Sequence, residues 1–354
     1  MAGLPLVSVC VPTRNRAGFL RESLPTILAQ DYEPLEILIS DNGSTDDTEP
    51  LCREIAGRDP RVRYVRHEAD LGLYGNHNFC LDESRGDYVC LWHDDDIRVP
   101  TLVRRYVEFL ASHPAVGIVS SDYALIDDDG RVIGARDRRV NDVTPGLEYI
   151  SRTFASGQSS VGCPGAMIRQ SALGRWRFSE DGPIGFADFV LWCQIAERAD
   201  VGHIRERLWT YRLHRQSLSR RKMWDSVRDY EYHLGRYCQA HLARFPEHAA
   251  LVQHWRRSLD AFLFWALAYE IGLHLDSGRP TLARSYRTVF EIADYQLDAA
   301  EVRAVLDLMR GYRRGVVQSA ALLTIAGLLR IHVTRPLRWA ADHLASWRSR
   351  GDAR

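Results

Sequence analysis

The chain has 354 residues, of which 45% are hydrophobic and 26% charged, proportions that are ordinary for a soluble globular protein. Lys plus Arg balance Asp plus Glu at 46 each, so no excess of positive charge indicates a nucleic-acid partner. The sequence has one lysine, Lys222, and lacks the P-loop, G-x-G-x-x-G and H-E-x-x-H motifs. Kinases, ATPases, common dinucleotide enzymes and zinc proteases are therefore poor candidates.

The first half of the chain alternates predicted strands and helices. The predicted strands are LVSVCVP, LEILISD, RVRYVRH, DYVCLW and VGIVSSD. The predicted helices between them are NRAGFLRESLPTILAQ, GSTDDTEPLCREIA, YGNHNFCLDES and PTLVRRYVEFLASH, with Asn15 capping the first and Ser44 or Thr45 the second. The alternation predicts an α/β fold, with a mostly parallel, Rossmann-like sheet and flanking helices.

Polar clusters follow three of these strands: PTRNR, SDNGSTD and WHDDD. Ligands of such sheets bind outside the carboxyl ends of the strands, so these clusters are expected to form a site. A second aspartate triple, Asp127 to Asp129, precedes a glycine between two short apolar runs. That pattern is typical of a hairpin, and we expect a solvated turn there.

The chain is expected to divide into residues 1–219 and a helical domain of five or six helices over residues 220–354. Near its end, RPLRWAADHLASWRSR places apolar residues on one helix face with arginines around them: Leu337, Ala341, Leu344 and Trp347. This pattern favours an interfacial helix on an anionic membrane surface. Packing on its own domain, or on a partner in a homo-oligomer, is the alternative.

The cysteines and the N-terminus both favour a cytoplasmic protein. The seven cysteines lie singly, with no C-x-x-C pair, which indicates a reducing compartment. No basic leader precedes the first apolar run. If the interfacial helix binds a membrane, the protein is expected to attach peripherally to the inner face of the cytoplasmic membrane.

Four motifs occur in order over the first 220 residues: VSVCVPTRNR, EILISDNGSTDDT, GDYVCLWHDDD and FADFVLWCQIAERADVGHIRERLWTYRLHRQSLS. Together they resemble the family 2 glycosyltransferases of the GT-A fold. The resemblance implies an inverting transfer of a hexosyl or deoxyhexosyl group from a nucleotide-diphosphate sugar, assisted by a divalent cation.

The WHDDD motif is the candidate cation site. Carboxylate oxygens suit Mg²⁺ or Mn²⁺ better than zinc, and a cation would neutralise the diphosphate leaving group. The resemblance implies Asp95 as a metal ligand, Asp94 as a ribose contact or second ligand, and Asp96 as a residue that orients the turn. His214 is a further candidate ligand or phosphate contact. An acidic capping loop without a metal is the alternative.

The nucleotide base is expected beside the second strand. By resemblance, Asp41 accepts a hydrogen bond from the imide N–H of uracil or thymine, which indicates a UDP- or dTDP-sugar. The alternative is that Asp41 only begins a turn. The other candidate nucleotide-binding residues are Pro12, Thr13, Arg14, Asn42 and His77. His77 and His93 are departures, because many relatives have an arginine and an aspartate at these positions.

Asp188 is the candidate general base, which would remove the proton of the acceptor hydroxyl. It matches the Asp of the family's Glu-Asp pair, with Ala187 in place of the Glu, and a helix N-terminus is expected to lower its pKa. Weaker candidates for acceptor or phosphate contacts are Trp192, Arg212 and Arg215, and the loop GQSSVGCPGAMIR is expected on the acceptor side.

The sequence therefore predicts a glycosyltransferase acting on a saccharide or lipid-linked acceptor, in bacterial surface polysaccharide or glycoconjugate assembly. Two alternatives remain open. A sugar-phosphate nucleotidyltransferase shares the fold, although its glycine-rich N-terminal loop with a basic residue is not matched by PTRNRAGFL. A non-catalytic nucleotide-sugar-binding or scaffold protein would not need Asp188.

Overall fold

A computed structural model of the chain describes residues 3–214 and 223–259. Within these ranges the chain forms two compact units. The first holds residues 3–153, 158–214 and 232–237, and the second holds residues 154–157, 223–231 and 238–259. Most of the predicted helical domain, the interfacial helix and Arg215 lie outside the described residues.

Nine strands are described, and their order along the chain is β1 Val7–Thr13, β2 Leu35–Asp41, β3 Val62–Arg66, β4 Tyr88–Leu91, β5 Val116–Ile126, β6 Val132–Arg136, β7 Val143–Thr144, β8 Met167–Arg169 and β9 Asp200–Arg212. The helices are α1 Ala17–Leu28, α2 Thr48–Arg58, α3 Gly72–Glu83, α4 Leu102–Ser112, α5 Gly146–Ser156, α6 Gln170–Leu173, α7 Ala187–Ala196 and α8 Met223–Arg244. A 3₁₀ turn, Pro246–His248, and helical residues 249–259 follow α8.

The strands of the described region form one sheet in the order β3-β2-β1-β4-β8-β5-β9-β7, with β6 paired to β5. The pairs β1–β2, β2–β3, β1–β4 and β5–β9 are parallel. The predicted mostly parallel α/β fold is thus confirmed. The sequence did not predict β8, a three-residue strand that lies antiparallel between β4 and β5.

Strand β1 is buried at every position, as its unbroken apolar pattern predicts for a strand covered on both faces. Helix α1 contributes an apolar stripe, and its Leu20, Leu24 and Ile27 are fully buried in the main core. This packing fixes the loop between β1 and α1 over the carboxyl edge of the sheet. The loop carries the first polar cluster.

The predicted helix caps were wrong. Helix α1 begins at Ala17, and Asn15 adopts a positive φ of 53° instead of capping it. Its side-chain oxygen accepts the backbone N–H of Thr45 at 2.7 Å. Helix α2 begins only at Thr48, and the Ser44 hydroxyl accepts the Asn15 N–H. These residues join the β1 and β2 loops, because each satisfies a backbone group of the other loop.

Two glycines provide a test of the packing around the sheet. A Cβ on Gly165 would overlap the indole of buried Trp209, whereas a Cβ on Gly57, in exposed helix α2, would meet open space. We expect Gly165→Ala to destabilise the protein by about 1–3 kcal/mol through overpacking. Gly57→Ala should stabilise it by about 0.5–1 kcal/mol through helix propensity. Thermal unfolding midpoints that move in the same direction for both variants would contradict this packing.

Candidate active site

The carboxyl ends of β1, β2 and β4 meet at one edge of the sheet, where they border a cavity of about 350 Å³. The parallel register places the ends of β1 and β2 side by side, with Thr13 opposite Asp41. The cavity is lined by sixteen residues from five segments of the chain: Pro12, Thr13, Arg14, Arg16, Asn42, Asp70, Gly72, Leu73, Asn76, His77, His93, Asp94, Asp95, Tyr211, Arg212 and His214. Most of the predicted nucleotide-binding residues therefore surround one cavity.

Asp94 faces the cavity and is held from the β1 side. The Thr13 hydroxyl donates a hydrogen bond to the Asp94 carboxylate at 2.6 Å, and the Ser23 hydroxyl of α1 donates to its backbone carbonyl at 2.7 Å. Burial, and next the charge of Asp95, raise the pKa of Asp94 to about 7. Asp94 is therefore placed to exchange a proton or a hydrogen bond with a bound ligand near neutral pH.

Three side chains of the WHDDD turn could hold one cation. One donor atom each from His93, Asp95 and Asp96 lies within 4.8 Å of the other two, and Asp95 Oδ2 is 2.9 Å from His214 Nε2. The metal ligands predicted from the sequence were Asp94, Asp95 and His214. The cluster of His93, Asp95 and Asp96 shares only Asp95 with that set.

Asp96 does more than orient the turn. Its Oδ1 accepts the backbone N–H of Arg212 at 2.9 Å, which is the expected orienting contact. Its Oδ2 is buried and has no hydrogen-bond partner in the described part of the chain. A buried carboxylate oxygen without a partner is costly. A cation at the cluster would remove that cost, so the donor set fits a divalent ion.

Arg212 is almost fully buried beneath the cavity, and protein groups surround its guanidinium. Its Nε donates to the backbone carbonyl of Asp95 at 2.8 Å, and its Nη1 donates to that of Asp128 at 3.1 Å. Its Nη2 forms an ion pair with Glu22 of α1 at 2.7 Å. These contacts make Arg212 a residue that holds the WHDDD turn, called the metal turn below because it carries the candidate cation cluster. The sequence had indicated Arg212 as a candidate contact for the acceptor or the phosphate.

The Asp127–Asp129 turn is the predicted hairpin turn between β5 and β6. The Asp127 carboxylate accepts the backbone N–H groups of Asp129 and Arg131, and Gly130 adopts a positive φ of 77°. The turn contributes backbone carbonyls to Arg212 and no carboxylate to the cavity.

Arg98 connects the metal turn to the predicted acceptor loop. Its buried guanidinium donates to the backbone carbonyl of Asp96 at 2.8 Å and to that of Pro164 at 3.4 Å, and it lies 4.6 Å from the ring of Trp92. The buried guanidinium of Arg98 thus links the metal turn to the GCPG segment of that loop.

Asp41 lies behind the wall of the cavity. It is fully buried, and its two carboxylate oxygens accept the Ser44 backbone N–H and the Tyr64 hydroxyl. The predicted contact with the base therefore remains a prediction. The side chains beside it that line the cavity are Asn42 and Asp70, which are joined by a 2.7 Å hydrogen bond.

Asp70 was missed by the sequence analysis. It follows the third strand by a few residues in HEADLG, and it also forms an ion pair with Arg14. The third strand carries no obvious polar cluster directly at its end, so the only available signal was an acidic residue before a glycine.

His77 lines the cavity from α3, but its environment disfavours a charge. Burial, and next the neighbouring His93, lower the pKa of His77 to about 4, and its Nδ1 contacts the Leu73 carbonyl at 2.8 Å. Because Nδ1 donates to that carbonyl, the other nitrogen of the neutral imidazole can only accept a hydrogen bond. The neutral ring does not replace the positive charge that an arginine would bring to a phosphate.

Asp188 is the second residue of α7, as predicted, and is half-buried. Burial raises its pKa to about 6, although the backbone N–H groups of Phe189 and of Asp188 itself oppose that shift. The expected lowering of the pKa by the helix terminus was wrong, because desolvation exceeds it here. Phe186, just before the helix, adopts a left-handed φ of 63° and turns the chain into α7.

Cys163 lies in the GCPG segment, and burial and two carboxylates affect its thiol. Burial raises the pKa of the Cys163 thiol well above its usual value, and the charges of Asp188 and Asp96 add to that effect. Both carboxylates therefore act on the same thiol. Cys163 belongs to the loop that Arg98 contacts.

Trp192 does not present a face to a sugar. It is fully buried, and its ring packs edge-on against Phe178 with 6.4 Å between the ring centroids. Phe178 also stacks on Tyr74 of α3, with 5.2 Å between the ring centroids. Trp192 therefore belongs to the core that joins α7 to the cavity wall, and not to the acceptor contacts.

A serine, a histidine and an aspartate also meet elsewhere on the sheet. His203 Nε2 is 2.9 Å from Asp122 Oδ1, and its Nδ1 is 3.4 Å from the Ser120 hydroxyl. Ser120 is 1% exposed, and its hydroxyl donates to the Ser160 carbonyl. No substrate reaches this serine in such an arrangement, so the array joins β5 to β9 and is not a nucleophilic centre.

Comparison with known proteins identifies relatives of this chain. Residues 8–175 match the family model described as Glycosyl transferase family 2. An uncharacterised protein of Mycobacterium tuberculosis is 32% identical over 214 residues, which are 56% of this chain and 64% of that protein. A Campylobacter jejuni enzyme named GalNAc(5)-diNAcBac-PP-undecaprenol beta-1,3-glucosyltransferase is 37% identical over 94 residues, 26% of this chain and 30% of that enzyme.

Solved structures share the fold at low sequence identity. TarS residues 1–349 of S. aureus, in complex with UDP-GlcNAc, match with a TM-score of 0.57 at 16% identity, over 81% of this chain and 89% of that one. The mannosyltransferase PcManGT from Pyrobaculum calidifontis, in complex with GDP-Man and Mn²⁺, matches with a TM-score of 0.53 at 22% identity, over 91% of this chain and 87% of that one. These matches support the GT-A fold that the sequence predicted.

The role of Arg212 can be tested with a matched arginine on the same strand. Arg212→Lys would leave the carbonyls of Asp95 and Asp128 without their donors, so we expect a loss of at least about 2 kcal/mol of stability. We also expect Mn²⁺ affinity to fall by about tenfold, because the metal turn loses its support. The control is Arg207→Lys, since Arg207 forms an exposed ion pair with Asp137. An Arg212 variant that matches this control in thermal midpoint and in Mn²⁺ titration would show that the buried contacts are dispensable.

Proposed function

Since residues 8–175 belong to glycosyl transferase family 2, we propose that this chain is a metal-dependent inverting glycosyltransferase. It transfers a sugar from a UDP- or dTDP-sugar to an acceptor hydroxyl. The observation that carries the proposal is the cation cluster of His93, Asp95 and Asp96, placed at the edge of the cavity that the nucleotide-binding candidates line.

His93, Asp95 and Asp96 would hold the cation, with His214 beside Asp95. When bound, a divalent cation neutralises the negative charge that develops on the diphosphate as it leaves. Arg16 also lines the cavity and adds a positive side chain there. Arg212 and Arg98 keep the turn in place from below, so few groups need to move when the donor binds.

Asp188 acts as the general base in this proposal. The Asp188 carboxylate accepts the proton of the acceptor hydroxyl while that oxygen attacks the anomeric carbon. A single displacement of this kind inverts the configuration at that carbon. A pKa of about 6 leaves Asp188 ionised at neutral pH, and it makes the group a stronger base than an ordinary aspartate.

The donor preference rests on the SDNG motif and on polar side chains beside it. Asn42 and Asp70 offer the cavity an amide and a carboxylate at the end of β2, where the base would lie. Asp41 supports this corner through Ser44 and Tyr64. One fold neighbour was solved with UDP-GlcNAc and another with GDP-Man, so the fold alone does not identify the nucleotide base. Titration with different nucleotides tests which base the cavity binds.

The acceptor in this proposal is a saccharide, most simply one linked to a lipid diphosphate, in surface polysaccharide or glycoconjugate assembly. Three large apolar side chains are 40% exposed each, and one of them, Leu73, lines the cavity; the others are Leu71 and Ile184. The Campylobacter relative is named for an undecaprenol-linked acceptor. Among the described residues, no helix is both long enough and apolar enough to cross a membrane. Peripheral attachment at the inner face of the cytoplasmic membrane is part of the proposal because of the sequence pattern of the predicted interfacial helix.

The role of Asp188 as the general base can be tested by substitution together with pH dependence. Asp188→Asn should lower kcat by about 10²–10⁴-fold and leave donor binding intact, because only proton transfer is lost. In the wild type, Asp188 must be ionised, so kcat/KM should rise with pH, bend near pH 6 and level off above it. Initial rates between pH 4.5 and 8.5, with donor affinity measured in parallel, check both expectations.

The control for this experiment is Asp181→Asn, an exposed carboxylate that precedes α7 on the same segment. Full turnover by Asp188→Asn would exclude Asp188 as the general base. Donor binding without any turnover by the wild-type chain would favour a binding or scaffold role. A product with retained anomeric configuration would overturn the inverting mechanism while leaving the fold assignment untouched.

The cation and the donor base can be tested by calorimetric titration of UDP, dTDP and GDP, each with Mn²⁺ and with EDTA. We expect UDP or dTDP to bind with Mn²⁺, and we expect Asp95→Ala to weaken that binding by tenfold or more, about 1.4 kcal/mol, because the cation is lost. Asp129→Ala is the control, since Asp129 lies in the other aspartate triple. Binding that is equally strong in EDTA and in Asp95→Ala would exclude a metal-dependent donor site, and preference for GDP would overturn the donor class.

A further inference from the structure

The cation cluster of this chain includes a ring nitrogen. His93 occupies the position where many family members begin the metal motif with an aspartate. It is half-buried at the cavity, and its donor nitrogen lies within 4.8 Å of carboxylate oxygens of Asp95 and Asp96. The donor set of this chain is therefore a mixture of nitrogen and oxygen.

The surroundings of His93 hold its ring in place at the cavity. The ring meets His77 edge-on, with 6.2 Å between the ring centroids. His77 is itself anchored to the Leu73 carbonyl. Both rings are therefore fixed by the fold, and a preformed ligand loses less freedom when the ion binds.

Asp96 contributes a buried carboxylate oxygen to the cluster. Asp96 is fully buried, and its Oδ2 has no hydrogen-bond partner in the described ranges. Arg98 lies near, but its two hydrogen bonds go to backbone carbonyls, those of Asp96 and Pro164. A cation shared by Asp95, Asp96 and His93 would satisfy the orphaned oxygen as well as the ring nitrogen.

We propose that His93 is a direct nitrogen ligand of the bound cation and that the site consequently selects Mn²⁺ and Co²⁺ over Mg²⁺. This inference rests on the metal-dependent function proposed above. Mg²⁺ prefers oxygen ligands in near-ideal octahedra and retains its waters, whereas imidazole nitrogen binds first-row transition ions with affinity that rises from Mn²⁺ to Co²⁺. His214, 2.9 Å from Asp95, offers a second imidazole on the same side and strengthens the preference.

The test measures the bound cation in the unmodified protein and in two variants. Pulsed electron paramagnetic resonance of bound Mn²⁺, with UDP added, should show ¹⁴N modulation from a coordinated imidazole. Labelling the histidines with ¹⁵N should remove that modulation, and His93→Asp should weaken it while His214→Ala leaves a nitrogen signal. Because the first measurement uses the wild-type chain, it remains informative even when a variant folds poorly.

Calorimetric titration of Mg²⁺, Mn²⁺ and Co²⁺ gives the selectivity. We expect wild-type affinity to follow Mg²⁺ < Mn²⁺ < Co²⁺, and we expect His93→Asp to narrow the ratio of Mn²⁺ to Mg²⁺ affinity by about tenfold. His254→Asp, at an exposed histidine in the second unit, is the control and should leave the ratio unchanged.

The outcomes separate this inference from the function on which it rests. Bound Mn²⁺ without nitrogen modulation, or an unchanged affinity ratio in His93→Asp, would overturn the nitrogen ligand while sugar transfer with a cation still stands. Equal sugar transfer in EDTA would instead overturn the metal dependence itself. Nitrogen modulation that disappears in His214→Ala and persists in His93→Asp would move the ligand to His214 and reject His93.

Discussion

The candidate site depends on a buried positive charge that the fold must compensate. Arg212 lies under the cavity, and a guanidinium removed from water is tolerated only when its donors are satisfied. Here the compensation comes from Glu22 and from the backbone carbonyls of Asp95 and Asp128. One side chain therefore joins helix α1, the metal turn and the β5–β6 turn. The position of the metal turn follows from electrostatics beneath it as much as from the strand that leads into it.

Three consecutive aspartates acquire different properties because their surroundings differ. Asp94 receives the Thr13 hydroxyl and faces the cavity, and burial brings its pKa to about 7. Asp95 is more accessible and lies beside His214. Asp96 is enclosed. One of its oxygens accepts the Arg212 backbone N–H, and the other has no hydrogen-bond partner among the residues that the structure describes. A run of identical residues thus supplies a hydrogen-bonding group, a more accessible carboxylate and a buried carboxylate, and the neighbouring groups determine these differences.

Much of this architecture was accessible from the sequence, because strand periodicity and polar strand ends are local signals. They predicted the parallel sheet, the site at its carboxyl edge and the turn at Asp127. Effects that depend on burial were not accessible. The pKa of Asp188 is raised rather than lowered, Trp192 lies in the core, and Asp41 is enclosed by Ser44 and Tyr64. The inserted antiparallel strand β8 is only three residues long, which is too short for a period to appear.

The hairpin turn that supports Arg212 has a consequence for how the site can be altered. Because it contributes carbonyl oxygens, its support is encoded in the path of the backbone and hardly in the identity of the side chains. Asp128 is one example, since its carbonyl reaches Arg212. An engineer could vary that side chain freely while keeping the length of the turn. Inserting a single residue there would disturb the metal turn on the far side of the guanidinium without touching any ligand.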